Sequence, residues 1–322
     1  MVNAGEARLD VVQTGNIRTR IAVQGSGPLV LLCHGFPESW RSWKSQLSAL
    51  AAAGYRAVAP DMRGYGGTDA PLEIESYTML HFVGDMVELV KVLGEKEAVI
   101  VGHDWGAPVA WNAAMLRPDL FRAVVGMSVP FTPPAPVDLL SVLEKQGVQT
   151  FYMQYFQKPG VAEAELEADV EISLRRMYFT MSGDGPNRIV AGILTPDTGI
   201  LANTVEPERL PDWLDETDLA YVAAEFKRTG FRGGLNWYRN IKRSSELLAP
   251  WRGCVIRQPS LFIAGARDDV LRFPGMEARI KQLSAVLPGI RGCHILEGAG
   301  HWIQRERVSA VNELLLEFLR SL

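Results

Sequence analysis

The sequence predicts an α/β protein with a mostly parallel sheet of eight strands, helices on both faces of the sheet, and an inserted helical cap. Three observations support this fold class. Short apolar runs alternate with stretches of helical periodicity toward both ends of the chain. One run, residues 29–32, is apolar throughout, as expected for a central parallel strand. Strand patterns almost vanish after Pro130 and return only near residue 260.

The predicted elements follow in a regular order. Residues 9–12 and 18–23 read as two early strands that can pair as a hairpin. The other predicted strands cover residues 29–32, 55–59, 97–101, 123–127, 260–264 and 292–296. The predicted helices cover residues 39–53, 77–93, 107–116, 161–180, 219–229 and 308–319, with one more beginning near 276. Gly54 and Gly94 mark the ends of the first two helices, because glycine is common just after a helix.

The change of pattern at Pro130 predicts two domains. We expect residues 1–130 and 252–322 to form the α/β core and residues 131–251 to form the helical cap. A proline-rich run, residues 133–136, reads as the linker into the cap.

Composition excludes several classes of protein. The chain has 322 residues and a formal net charge of −4, with its basic residues scattered, so no nucleic-acid footprint is visible. No apolar run reaches the roughly 18 residues of a membrane span, and the first ten residues lack the pattern of a signal peptide. We therefore expect a cytoplasmic protein without nucleic-acid or membrane partners. The oligomeric state stays open, with a homodimer as one option.

No motif for a metal or a cofactor is visible. The three cysteines are far apart with no C-x-x-C, and the five histidines show no H-E-x-x-H spacing. Glycine-rich loops of the phosphate-binding type are also missing from the sequence. The simplest expectation is chemistry without a cofactor or a metal.

The most informative motif is Gly102-His103-Asp104-Trp105-Gly106, between a predicted strand and a predicted helix. This layout is that of the nucleophile elbow of α/β-hydrolases, G-x-S-x-G, with aspartate in the place of serine. A carboxylate is anionic at neutral pH and can attack a saturated carbon to form an ester, without a base. Taken alone, the motif leaves a second interpretation open, an acidic turn residue or helix cap.

An aspartate nucleophile needs a base for the second step and an acid to orient that base. In this fold the chain order is nucleophile, acid, histidine. His301 stands in a glycine-rich loop after the last predicted strand, where the histidine is expected. The loop after strand 260–264 contains Asp268 and Asp269. We prefer Asp268 as the acid, with Asp269 as the alternative, because strand-end loops position such residues.

The ester also needs hydrogen-bond donors for the oxyanion that forms during its hydrolysis. One donor is the backbone N–H of the residue after the nucleophile, Trp105. The other should come from the loop after the third strand, where the N–H of Phe36 fits. Pro37 would stiffen this loop, and His34 would brace it. These residues supply no acid for a leaving group, so we expect that acid to come from the cap.

Together these residues resemble the soluble epoxide hydrolase family, most of all the hydrolase domain of the vertebrate enzyme. The resemblance rests on four core motifs and two cap segments, at residues 34–37, 61–66, 102–106, 300–302, 155–165 and 230–239. It implies the α/β-hydrolase fold with a cap, and conversion of small apolar epoxides and water into vicinal diols. It also implies a stand-alone enzyme of the bacterial type, without the amino-terminal phosphatase domain of the vertebrate protein.

The resemblance further implies two cap tyrosines that donate hydrogen bonds to the epoxide oxygen. Tyr238 matches one of them, and spacing to the following Phe-Gln maps the other to Tyr152, with Tyr155 as the alternative. A phenol with a pKa of about 10 stays protonated at neutral pH and can still donate a proton to an alkoxide.

Three other functions compete with this prediction. A haloalkane or haloacid dehalogenase uses the same Asp-His-Asp chemistry, but its leaving halide needs N–H donors instead of a phenol pair. A serine esterase would need a G-x-S-x-G motif, which the sequence lacks. A non-catalytic binding protein of the same fold would be expected to lack a member of the triad, and all three are present.

Overall fold

The computed structural model describes residues 7–186, 189 and 191–322, in which eight strands form one sheet in the order β1-β2-β4-β3-β5-β6-β7-β8. The strands are β1 Arg8–Thr14, β2 Ile17–Gln24, β3 Leu29–Cys33, β4 Arg56–Pro60, β5 Ala98–His103, β6 Phe121–Met127, β7 Ser260–Gly265 and β8 Ile290–Leu296. β2 pairs antiparallel with β1 and β4, and the remaining pairs are parallel. The predicted fold class, a mostly parallel sheet of eight strands, is confirmed.

The strands at the centre of the sheet are apolar on both faces, so both faces must be covered by other parts of the protein. All five residues of β3 and all six residues of β5 are buried. Alternate residues of β3 point to opposite faces, so that Val30 and Leu32 join one hydrophobic cluster, and Leu31 and Cys33 join another. Because β3, β5, β6, β7 and β8 are parallel, the loops after them lie along one edge of the sheet.

Helices pack on both faces of the sheet and fill the long connection from β6 to β7. They are α1 Lys44–Ala52, α2 Met79–Val92, α3 Gly106–Leu116, α4 Leu139–Lys145, α5 Tyr152–Tyr155, α6 Val161–Ala168, α7 Val170–Met181, α8 Glu216–Thr229, α9 Arg232–Arg239, α10 Ile241–Leu247, α11 Met276–Lys281, α12 Leu283–Val286, α13 Ile303–Glu306 and α14 Val308–Arg320. Clusters on one face include α2 and α3 residues, and those on the other include α1 and α14 residues. Within the described ranges, none of these helices has the length and apolar character that crossing a membrane requires.

Two predicted helices differ from the structure. The predicted helix over residues 161–180 is two helices, because Asp169 is extended and its side chain accepts the N–H of Ile172, which begins α7. The predicted helix over residues 39–53 begins as a short 3-10 helix, Trp40–Trp43, before α1. The division into core and cap stays a prediction. Helices α4–α10 all lie between β6 and β7, and the described residues of that segment add no strand to the sheet.

Candidate active site

The turn between β5 and α3 presents Asp104 at the edge of the sheet. Its φ of 50° lies in the left-handed region, which non-glycine residues rarely adopt outside constrained sites. The flanking glycines are required sterically, since a Cβ on Gly102 would lie 1.9 Å from the Gly106 oxygen and a Cβ on Gly106 would lie 2.0 Å from the Cys33 oxygen. The turn therefore has the sharp geometry expected of a nucleophile elbow.

The loop after β3 places a backbone donor on the Asp104 carboxylate. The N–H of Phe36 donates to Asp104 Oδ1 at 2.7 Å. This bond holds Oδ1 in place, and the other oxygen, Oδ2, lies 3.4 Å from His301 Nε2. The N–H of Trp105, the other predicted donor, makes no such bond to Asp104 within the described chain, and its role stays a prediction.

His301 lies between the two predicted carboxylates. Its Nε2 is 3.4 Å from Asp104 Oδ2 and its Nδ1 is 3.1 Å from Asp268 Oδ1. The ring is almost fully buried, and Nε2 has no hydrogen-bond partner among the described residues. The contact between Nε2 and Asp104 is long, at 3.4 Å. Nε2 can therefore accept a hydrogen bond from a water molecule, as a general base for hydrolysis must.

The neighbouring Asp269 contacts a different part of the molecule. Its two carboxylate oxygens accept the N–H groups of Ala191 and Gly192, both at 2.9 Å. It therefore fastens the connection between β6 and β7, while Asp268 contacts His301. The geometry favours Asp268 as the residue that orients the histidine.

Ser128 also contacts His301, and the sequence analysis did not predict it. Its Oγ lies 3.1 Å from His301 Nδ1, and it has a φ of 69° directly after β6. Residues 128–130 include no acid, and a lone hydroxyl gives no sequence signal. The serine adds a second polar partner at the nitrogen that faces Asp268.

The charges around His301 control its protonation. Burial works to lower the pKa of His301, but the charge of Asp268 and the close contacts with the Asp104 and Asp268 carboxylates outweigh burial and raise the pKa well above its ordinary value. Burial works to raise the pKa of Asp268, yet the charge of His301 leaves it lowered. The resting state that fits these directions is an imidazolium held between two carboxylates.

His103 of the elbow and Glu38 form a buried pair that links three loops of the site. His103 Nδ1 lies 2.8 Å from Glu38 Oε1, and His103 Nε2 lies 2.7 Å from the backbone oxygen of His301. Glu38 also accepts the N–H of Gly35 at 2.9 Å and the side-chain amide of Gln304 at 3.1 Å. A carbonyl oxygen can only accept, so Nε2 of His103 carries a proton.

This pair was not predicted from the sequence. Although burial opposes it, the charge of His103 lowers the pKa of Glu38 to about 2. The two residues are 65 positions apart, and His103 and His301 are 198 positions apart. Only the folded chain brings them together.

The two predicted support residues lie in the loop after β3. His34 is fully buried, donates from Nδ1 to the Gly35 oxygen at 2.9 Å, and accepts the N–H of Met62 at Nε2 at 3.0 Å. The peptide bond before Pro37 is cis, and the Pro37 oxygen accepts the Tyr178 hydroxyl of α7 at 2.8 Å. Both residues thus tie the Phe36 loop to its neighbours.

Tyr152 of α5 and Tyr238 of α9 face the same cavity as Asp104. Their ring centroids are 5.9 Å apart. Burial first, and then the Asp104 charge, raise the pKa of Tyr152 well above its usual value, and burial likewise raises the pKa of Tyr238. Both phenols therefore stay protonated and can donate. Tyr155 instead donates to Glu165 at 2.8 Å and does not line the cavity, which makes it the weaker candidate.

The cavity at Asp104 encloses about 60 Å³, which is room for a few water molecules. Its walls include Asp104, His301, both tyrosines and the ring of Phe36. The described residues contain no group of three or more His, Cys, Asp or Glu side chains arranged to hold a metal ion. The cavity thus brings a carboxylate, a histidine and two phenols together in one small and mostly apolar chamber.

Comparison with known proteins gives consistent results. Residues 28–177 match the family described as alpha/beta hydrolase fold. Epoxide hydrolase A of Mycobacterium tuberculosis is 43% identical over 316 residues, 97% of this chain and 97% of that protein. The bifunctional epoxide hydrolase 2 of Mus musculus is 40% identical over 95% of this chain and 54% of that protein. A solved epoxide hydrolase from an endophytic Streptomyces is 45% identical, with a TM-score of 0.93 over 98% of this chain and 96% of that one.

Proposed function

The chain belongs to the epoxide hydrolases of the α/β-hydrolase fold, and from that premise we propose that it opens epoxides to vicinal diols through a covalent ester on Asp104. The observation that carries this proposal is the arrangement around Asp104. One oxygen of the carboxylate is held by the Phe36 N–H and the other lies beside His301, and Asp104, His301 and two phenols line the same cavity. The segment 131–251, which contributes both phenols, acts in this proposal as the cap of a core made of residues 1–130 and 252–322.

In the first step, Asp104 Oδ2 attacks a ring carbon of the epoxide. The new C–O bond forms as the ring C–O bond breaks, and its electron pair goes to the ring oxygen. Tyr152 and Tyr238 donate hydrogen bonds to this oxygen, and one of them supplies the proton that completes the hydroxyl group. Their raised pKa keeps them protonated until the alkoxide forms.

Between the two steps, the tyrosinate takes up a proton from solvent and the His301 imidazolium loses one to solvent. In the second step, the neutral His301 Nε2 takes a proton from water while the water oxygen attacks Asp104 Cγ. The oxyanion at Oδ1 is stabilised by the Phe36 N–H, with the Trp105 N–H as a second donor. Collapse of this intermediate breaks the Cγ–Oδ2 bond, and the leaving oxygen takes the proton of His301 to complete the diol. The proton that remains on the Asp104 carboxyl group then passes to His301, which restores the carboxylate and the imidazolium. Asp268 orients the ring and stabilises its positive charge during this step.

Trapping the ester tests the two-step scheme. With His301→Gln, we expect styrene oxide to leave a stoichiometric adduct on Asp104, visible in the intact mass, because attack needs no base whereas hydrolysis does. His294→Gln is the matched control, since His294 lies on β8 and lines no part of the cavity, and it should turn over normally. A variant without an adduct would rule out the ester.

Isotope labelling tests which bond breaks in hydrolysis. In a single turnover in ¹⁸O-water, the label should enter the Asp104 carboxylate, because the first diol takes its second oxygen from Oδ2. Label found only in the diol would mean direct attack of water on the epoxide. Chloride release from haloalkanes without turnover of epoxides would favour the dehalogenase reaction.

A further inference from the structure

The backbone on both sides of His301 is held by contacts that the proposed chemistry does not use. The N–H of His301 itself donates to the oxygen of Met181, the last residue of α7, at 2.9 Å. The N–H groups of its two neighbours, Gly300 and Trp302, both donate to the carboxylate of Glu306, each at 2.9 Å. Three consecutive N–H groups are therefore bound, which fixes the backbone that carries the His301 side chain.

Glu306, the last residue of α13, also binds the segment between β6 and β7. Its Oε2 atom accepts the N–H of Gly183 at 2.7 Å as well as that of Gly300. A Cβ on Gly300 would lie 2.3 Å from the carbonyl carbon of Ser182, so the two backbones are in direct contact. One carboxylate thus joins the loop that carries the histidine to the segment between β6 and β7.

The environment of Glu306 requires a carboxylate. The side chain is buried, and burial raises the pKa of Glu306 more than the three N–H groups lower it. A buried acid of this kind destabilises the fold unless it is hydrogen-bonded. A glutamine in its place would keep one acceptor oxygen but would bring an NH₂ group, which can only donate, against an N–H group.

We propose that Glu306 is a positioning residue for ester hydrolysis, which fixes the backbone on both sides of His301 so that Nε2 can activate water beside the ester on Asp104. This inference rests on the proposed function. Glu306 is not among the described residues that line the cavity at Asp104, so it acts through His301. Ester formation needs no base and should therefore not depend on Glu306.

Single-turnover kinetics with styrene oxide tests this role. In Glu306→Gln we expect hydrolysis of the ester to slow about tenfold, because a displaced histidine activates water poorly. Ester formation should change by less than about twofold. Glu306→Asp keeps the charge but is one methylene group shorter, so it should slow hydrolysis alone to a smaller extent. It replaces Glu306→Gln in the test if that variant does not fold.

Asp85→Asn is the matched control for Glu306→Gln. Asp85 lies on α2, is also a buried carboxylate, and pairs with Arg63 at 2.6 Å. Its replacement should destabilise the protein, while both steps keep their rates below the temperature of unfolding. An unchanged rate of hydrolysis in the Glu306 variants, or equal slowing of both steps, would overturn the positioning role.

A spectroscopic measurement separates this inference from the proposed function. The proton on His301 Nδ1, which lies 3.1 Å from Asp268 Oδ1, should give an NMR signal in free protein labelled with ¹⁵N-histidine, assigned by its loss in His301→Gln. Glu306→Gln should shift or broaden this signal, and Asp85→Asn should leave it unchanged. If the wild-type protein turns over no epoxide, the proposed function fails while this signal still decides on Glu306. An unchanged signal in Glu306→Gln would show that Glu306 does not position His301.

Discussion

At the scale of single residues, two tyrosines and one histidine divide the proposed reaction into separate steps. In the proposed reaction, Tyr152 and Tyr238 donate hydrogen bonds to the oxygen that leaves in the first step, and His301 activates the water of the second step. Replacing one of these tyrosines or the histidine should therefore slow one step and have little effect on the rate of the other. This separation is what makes the proposed roles measurable.

Replacing Tyr238 should slow ester formation much more than ester hydrolysis. Tyr238→Phe removes a hydroxyl that stabilises the opening oxygen, so we expect ester formation to slow by roughly 100-fold and hydrolysis to change by less than about twofold. Rapid-quench kinetics with intact-mass detection measures both rates. Tyr155→Phe is the matched control, since its hydroxyl bonds Glu165 outside the cavity. Equal slowing of both steps in Tyr238→Phe would argue against its role.

The proposed ester would remove the charge of Asp104 during the reaction, and this loss should change the pKa of His301. In the free protein, Asp268 and Asp104 raise this pKa well above its ordinary value, so the ring is protonated. Formation of the ester removes the Asp104 charge and lowers the pKa, which frees Nε2 to act as a base. The rate of ester hydrolysis should then rise with pH, because His301 loses its proton.

Asp268→Asn should move this rise to lower pH. The substitution removes a carboxylate that raises the pKa of His301, so the neutral form of His301 appears at lower pH. The plateau rate of ester hydrolysis should also fall by about 100-fold or more, because the ring is no longer oriented. Single-turnover decay of the ester, followed across pH, measures both effects. Asp269→Asn is the control, because the Asp269 carboxylate accepts the N–H groups of Ala191 and Gly192. In this variant the rate of ester hydrolysis should rise at the same pH as in the wild-type protein. An unchanged rise in Asp268→Asn would contradict the coupling.

At the scale of elements, the elbow depends on close contact between β5, α3 and the strand β3. Gly106→Ala should destabilise the protein strongly, because its Cβ would lie 2.0 Å from the Cys33 oxygen and backbone must move. Gly84→Ala is the opposite control, since Gly84 lies inside α2 and its Cβ would meet nothing within 4 Å. There the change should stabilise by up to about 1 kcal/mol, because alanine favours a helix. Urea unfolding measures both, and similar effects of the two changes would show that the elbow is not tightly packed.

Elements whose signal is local were predictable from the sequence. The apolar runs of β3 and β5 and the glycines around Asp104 carry their signal within a few residues, and the structure has the strands and the turn there. The break before α7 was missed because the apolar spacing continues through it, and a capping aspartate decides it. Glu38 and Ser128 were missed because their partners are distant in sequence and polar side chains give no periodic pattern.

At the scale of the whole molecule, one buried carboxylate joins the segment between β6 and β7 to the rest of the protein. Asp218 of α8 is almost fully buried and pairs with Arg41 at 2.9 Å, with Lys44, and with Arg305 of α13 at 3.4 Å. The three cations come from segments that precede and follow the helical insertion in the chain. A single acid thus neutralises charges from both parts of the predicted core.

Asp218→Asn should destabilise the protein without impairing the chemistry. Removing the acid leaves the buried Arg305 and the partly buried Arg41 without a carboxylate partner among the described residues, while the exposed Lys44 keeps Asp215. We therefore expect a loss of about 2–3 kcal/mol in the free energy of unfolding. Turnover at low temperature should stay within about twofold, because Asp218 does not line the cavity at Asp104. Thermal unfolding and initial rates measure the two quantities.

Glu216→Gln is the control for this change on the same helix. Its carboxylate pairs with Arg175 but the side chain is 68% exposed, so the change should fall within about 0.5 kcal/mol. If both variants were equally stable, the buried pairing would contribute nothing to the attachment of α8. If Asp218→Asn lost activity in proportion to stability, the helix would have to influence the site at Asp104 as well as hold the insertion in place.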